Sequence, residues 1–228
     1  MSDGSRQALA RLLWLSSPAL PIGAYAYSRG LEQAAERGLV SDEGSLTRWI
    51  DGVLTHQVAS LDAPVMLRVQ RAAAAGDASA VASWNEFLCA NRESAEFALE
   101  DAQLGGSLAR LLAAQGVEAV RLLGACADPK PAHAAVFGVA CALFGIAPEA
   151  SVLGYLLAFA ENQVTAALKC LQLGQMAGQR VLGALIARLD ALVSSVLARP
   201  DTELGAFAPG LALASALHES QYTRLFRS

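Results

Sequence analysis

Residues 131–168 read PAHAAVFGVACALFGIAPEASVLGYLLAFAENQVTAAL, and Glu149 and Glu161 are the only charged side chains among them. Any helix built from such a stretch must be covered around most of its circumference, so it forms the centre of the fold or an interface. Its longest apolar run, Ala134 to Ala147, falls short of the roughly 20 residues that span a bilayer, carries Gly138 and Gly145, and stops at Pro148. That run predicts a buried core helix rather than a membrane span.

The sequence around this centre has helical spacing in both directions. Downstream, Leu182, Leu185, Ile186, Leu189, Leu192, Val193 and Val196 make one apolar face over Arg180–Ala198, which Pro200 ends. A last helix is expected from Pro209 to about His218, followed by a tail. Upstream, Leu9, Leu12, Leu13 and Leu15 predict a short helix ending near Ser16, ahead of Pro18 and Pro21, and a Pro-Gly loop follows. A helix after Tyr27 closes at Gly38, and Asp42 caps the next, whose apolar face is Leu46, Trp49, Ile50, Val53 and Leu54. A new segment is expected to begin at Ser60, and another at Asp77 whose pattern runs on through Arg92 and Glu96 toward Gly105. Gly116, Gly124, Pro129 and Pro131 mark the best boundary within the chain, of a length that suits a loop. Period-two alternation between hairpin turns is absent from the pattern, so the expectation is an all-α single-domain bundle of about eight to ten helices over residues 1–228, with an N-terminal arm (1–24) and a C-terminal tail (219–228).

Composition agrees with that reading and narrows the function classes. The chain has 228 residues, 54% of them hydrophobic, and a mean hydropathy of +0.37. Alanine supplies roughly a fifth of the residues, and it has the best helix propensity of all. Seventeen Lys plus Arg against 21 Asp plus Glu leave a net charge of −4 with no basic run, which argues against a nucleic-acid surface. Cys89, Cys126, Cys141 and Cys170 show no CxxC spacing, and the N-terminus lacks a signal-peptide pattern, so a cytoplasmic chain without a disulfide framework is expected.

The motifs that announce chemistry are missing. There is no GxSxG elbow, no GxxxxGK[ST] loop and no HExxH, and Gly174 to Gly178 lacks the lysine of a phosphate loop. Paired carboxylates such as Glu32/Glu36 and Glu93/Glu96 read as a polar helix face. His218-Glu219 reads as a helix-end polar pair, with metal binding alongside Cys170 or Cys126 as the sharper alternative. Glu161-Asn-Gln-Val-Thr-Ala-Ala-Leu-Lys169 stands out because polar side chains crowd an apolar region; Asn162, Gln163 and Lys169 need partners inside the fold or on another chain. Leu153, Leu157 and Val164 form an apolar stripe beside them.

Three sequence words carry a resemblance. Ser16-Ser-Pro-Ala-Leu-Pro-Ile-Gly-Ala-Tyr-Ala-Tyr-Ser-Arg-Gly-Leu-Glu32, the 161–169 word with Leu173-Gly-Gln-Met-Ala-Gly-Gln-Arg180, and His218-Glu-Ser-Gln-Tyr-Thr-Arg-Leu-Phe-Arg-Ser228 resemble the UreF family of urease accessory proteins over nearly the whole chain. The resemblance implies an all-α homodimer without enzymatic chemistry or cofactor. It further implies a chaperone that joins UreD (UreH in some bacteria) and the nickel-binding GTPase UreG, regulates GTP hydrolysis and supports nickel insertion into apo-urease. No nucleic acid or membrane is implied as a partner. Carried onto this sequence, it places Tyr25, Lys169 and Arg224, with Tyr222 and Phe226 of the tail, at partner contacts, and the apolar stripe, which is either core or interface, adds Leu153 and Leu157 as partner-contact candidates. The resemblance assigns structural roles to Pro21, Gly23, Glu161, Asn162, Gln175 and Gly178. It also suggests that Tyr25 pairs with Arg224. Termini are poorly ordered unless docked, so the tail is expected to fray in the absence of partners. The alternative function is a helical nickel carrier or small-molecule binder that uses Cys170 and a histidine.

Overall fold

A computed structural model of the chain describes residues 3–117, 120–124 and 130–227. Among the described residues there is no strand. The helices are α1 (Asp3–Leu15), α2 (Leu31–Glu36), α3 (Glu43–Val53), α4 (Ala63–Ala74), α5 (Ala78–Ala90), α6 (Ala95–Ala114), α7 (Val120–Leu123), α8 (His133–Leu143), α9 (Pro148–Cys170), α10 (Gln175–Ala198) and α11 (Pro209–His218). Short 3-10 turns lie at Ala24–Ala26 and Asp201–Glu203. The all-α bundle expected from the sequence is what the chain forms.

Helix α8 is its axis. Ala134 through Cys141 are all buried, and the helix packs on α4 and α6 with α9 alongside. Gly138 permits a close crossing: a Cβ there would stand 2.5 Å from the Met66 carbonyl oxygen of α4. The absence of charge between Pro131 and Leu168 therefore reports burial, as the pattern implied.

Local chemistry explains several element boundaries. Asp42 caps α3 by accepting from the Ser45 N–H while Ser45 Oγ accepts in return, a capping box. Pro200 follows the end of α10, and α11 starts at Pro209, as expected. Two expected boundaries differ. No segment begins at Ser60; instead α3 runs into α4 through a π-helix, Leu54–Asp62. Pro64 cannot donate to the Ser60 carbonyl, and the widened turns let the chain continue while Gly205 N–H (3.3 Å) and Phe207 N–H (3.1 Å) take the Ser60 and His56 carbonyls. The pattern from Asp77 does not run through to Gly105 either. It breaks after α5, and Ser94 starts α6 by accepting from Phe97 N–H at 3.2 Å. The expected loop boundary between Gly116 and Pro131 contains the short α7, and its residues 118–119 and 125–129, with Cys126, lie outside the described residues.

A second centre is ionic. Arg29, in the turn before α2, has a left-handed φ of 50° and is followed by Gly30 at 75°. This double reversal sends α2 across α11 so tightly that a Cβ on Gly30 would lie 3.2 Å from Ala214 Cβ. The Arg29 guanidinium meets Glu100 at 2.8 Å, Asp101 at 3.7 Å and Asp62 at 4.0 Å, while Arg92 bridges Asp62 and Asp101. Burial alone would lower both arginines, and the surrounding carboxylates more than offset it, so both are held above the ordinary arginine value. This network ties the N-terminal loop to the π-helix and to α6.

Helix α10 is long and apolar enough to cross a membrane by length and composition, with a third of that stretch buried. Its Arg180 and Arg188 pair with Glu43 and Asp51 of α3, fastening it to the bundle.

Candidate functional site

The tail that the sequence left frayed is docked. Its backbone supplies the reason: Leu225 N–H and Phe226 N–H donate to the two oxygens of Glu32 at 2.7 and 3.0 Å, and Arg227 N–H donates to Ala26 O at 2.8 Å. Phe226 is 5% exposed. Arg224 reaches Glu96 of α6 at 3.0 Å and braces the turn through Gln221 O at 3.1 Å. The expected Tyr25–Arg224 pairing is therefore replaced. A guanidinium finds a stronger partner in a carboxylate than in a phenol, and Tyr25 lies under Lys169 instead.

Beneath the tail, His218 ends α11 fully buried, with Nδ1 2.9 Å from Glu96 Oε2 and Nε2 3.2 Å from Glu32 Oε2. Glu32 and Glu96 are buried and converge from two helices, so neither belongs to the polar face inferred for the 32/36 and 93/96 pairs. Sequence spacing cannot show a meeting across separate elements. The one available signal was that Glu32 closes the N-terminal word and His218 opens the C-terminal one.

Above the tail, Lys169 is exposed at the end of α9. Its Nζ stands 5.5 Å from the Tyr25 and Phe226 ring centroids and donates to Tyr25 O at 3.2 Å. Tyr25 is 66% exposed, Tyr222 wholly so, and Leu225 68%. The structure thus brings Tyr25, Lys169, Arg224 and Phe226 together at one end of the molecule.

The other proposed residues are distributed. Leu153 is exposed while Leu157 is half-buried against the core, and Gly154 beside Leu153 is where α1 crosses: a Cβ on it would stand 2.5 Å from Leu12 Cδ1. Pro21 and Gln175 are exposed, and Gly23 takes φ 85° ahead of the 3-10 turn. Gly178 lets α10 approach α9, since a Cβ there would already touch Val164 and Leu168 at 3.2 Å. Glu161 is partly buried, which raises its carboxyl. Asn162 donates to Tyr27 O at 3.4 Å, whereas neither amide atom of buried Gln163 finds a partner among the described residues.

Behind the Tyr25 loop lies a cavity of about 100 Å³ that Ser16, Arg29, Glu100, His133, Tyr155 and Asn162 help to line. Burial pushes His133 down to about 4, and its ring stacks on Tyr155 at 5.7 Å. Cys170 bonds back to Ala166 O at 3.4 Å, and burial pushes its thiol up to about 11. Among the described residues no three His, Cys, Asp or Glu side chains gather as metal ligands.

The UreF family model matches residues 40–186. A urease accessory protein UreF from Chromohalobacter salexigens is 49% identical over 97% of this chain and 95% of its own length. One from Teredinibacter turnerae is 45% identical over 96% and 98%. The chain belongs to the UreF family of urease accessory proteins. A bifunctional urease accessory protein UreEF from Bordetella bronchiseptica is also 46% identical over 96% of the chain, which spans 52% of that longer protein. Membership places this UreF-family chain in urease maturation, and the face around Lys169 is built from the three words that carried the resemblance.

Proposed function

We propose that the chain serves urease maturation as a cytoplasmic homodimeric scaffold without chemistry of its own. It joins UreD (or UreH) and the nickel-binding GTPase UreG on apo-urease and regulates GTP hydrolysis during nickel insertion. The carrying observation is the docked tail, which fixes Tyr25, Lys169 and Arg224 at one end of the bundle and leaves Tyr222 and Leu225 projecting. Exposed tyrosine and arginine side chains on a rigid base are the composition of protein-binding hot spots. The fused UreEF relative supports work beside another accessory protein.

The test is light scattering after size-exclusion chromatography of the purified chain with UreD and UreG, the chain alone serving as control. A stable complex holding two copies of this chain is expected. A folded, monodisperse chain that joins neither protein overturns the reading.

A further inference from the structure

With Glu32 and Glu96 ionised, the charged groups under the tail balance only when His218 carries a proton. An ionised carboxylate accepts hydrogen bonds and donates none. Glu96 oxygens lie 2.9 and 3.1 Å from His218 Nδ1 and a Glu32 oxygen lies 3.2 Å from Nε2, so both ring nitrogens face acceptors and both must carry hydrogen. A neutral ring would aim a lone pair at one carboxylate. The imidazolium also sits in the last turn of α11, where the helix end is negative. With Arg224 it neutralises Glu32 and Glu96.

Among the described residues, the surroundings add no competing charge. From α9, the Cys170 thiol beside Glu32 is neutral, pushed up to about 11 by burial and by that carboxylate, and Lys169 lies beyond the Phe226 ring. One turn along α6, Glu100 is held by Arg29. On α11 itself, Ser215 bonds Ser94 of α6 at 2.7 Å, and the Glu219 side chain is exposed.

We propose that the proton on His218 fastens the C-terminal tail. Its loss to solvent leaves one uncompensated buried negative charge and a lone pair against a carboxylate. Turning Glu32 or Glu96 outward relieves both, and those carboxylates hold Leu225, Phe226 and Arg224. Undocking is therefore coupled to one proton, and the face around Lys169 disassembles with it.

The test uses the full chain in solution without partners. The His218 ring signals in nuclear magnetic resonance report its protonation, and amide exchange at Leu225 and Phe226, corrected for base catalysis, reports docking. Protection of both amides is expected to fall as pH rises, by about tenfold per pH unit on the approach to the midpoint that the ring signals give for the docked chain, and to level off above it, the behaviour of a one-proton linkage. Protection that stays level as pH rises to that midpoint overturns the proposal. His218→Gln has no proton to lose, and its tail protection is expected to stay flat with pH. A tenfold fall per unit in that variant also overturns the proposal, and the wild-type titration decides alone if the variant does not fold.

Discussion

Glu32 Oε1 accepts the Leu225 N–H at 2.7 Å across 193 positions of chain, and its other oxygen takes the next amide. One side chain of α2 thus converts a terminal peptide into ordered structure. Hydrogen bonds to a charged acceptor contribute about 1.5–3 kcal/mol each. Glu32→Gln keeps the size, removes the charge and presents a donor where two acceptors stood. Exchange protection of the Leu225 and Phe226 amides is expected to drop at least about tenfold, while amides of buried α8 keep theirs. Equal protection in both chains contradicts this role for Glu32.

Lys169→Ala separates the proposed partner face from stability. Lys169 is exposed, and a cation over aromatic rings at an exposed site contributes about 0.5–1 kcal/mol. The variant should keep the wild-type helical circular dichroism and lose at most about 1 kcal/mol. GTP hydrolysis by UreG or urease activation should nonetheless change. A collapsed helical signal would show that Lys169 supports the fold instead.

The sequence exposed what depends on local pattern. Buried α8 followed from a charge-free run, and the Asp42 cap, the Pro200 stop and the extent of α11 followed from single residues acting on their own neighbours. The π-helix escaped because its cause is distributed: Pro64 frees a carbonyl, and only a segment more than 140 residues away, at Gly205, satisfies it. The charged centres escaped for a related reason. Arg29 and Arg92 lie between helices while Asp62 and Glu100 lie on helices, and their burial becomes visible only when those elements pack. At the site, the quoted words contained Tyr25, Lys169, Arg224 and Phe226, yet their pairing rule was wrong because Glu96 lies outside every word.

Arg92→Met tests whether the buried network holds the fold. Arg92 bridges Asp62 and Asp101, whose side chains are 0% and 2% exposed. Removing one partner of a buried ion pair costs about 3–5 kcal/mol, because the remaining charges lose compensation. For a chain of this size that corresponds to a fall in Tm on the order of 10 °C. Arg188→Met breaks the exposed pair with Asp51 and should cost no more than about 1 kcal/mol. Equal losses in the two variants would mean that burial is not what gives the Arg92 contacts their weight.

His133 sets an acid limit. Burial lowers it from 6.5 to about 4, so between those values the unfolded chain binds a proton that the folded chain refuses. Stability from this group is complete above pH 6.5 and is lost as pH falls toward 4, by at most about 3 kcal/mol. His133→Phe retains a ring against Tyr155 and Phe137 and removes the titration. Urea denaturation at pH 7, 5.5 and 4 should show the variant gaining on the wild type as pH drops. A constant difference would contradict this assignment, since it requires water in the cavity or the nearby carboxylates Asp101 and Asp62 to let the folded ring charge without cost.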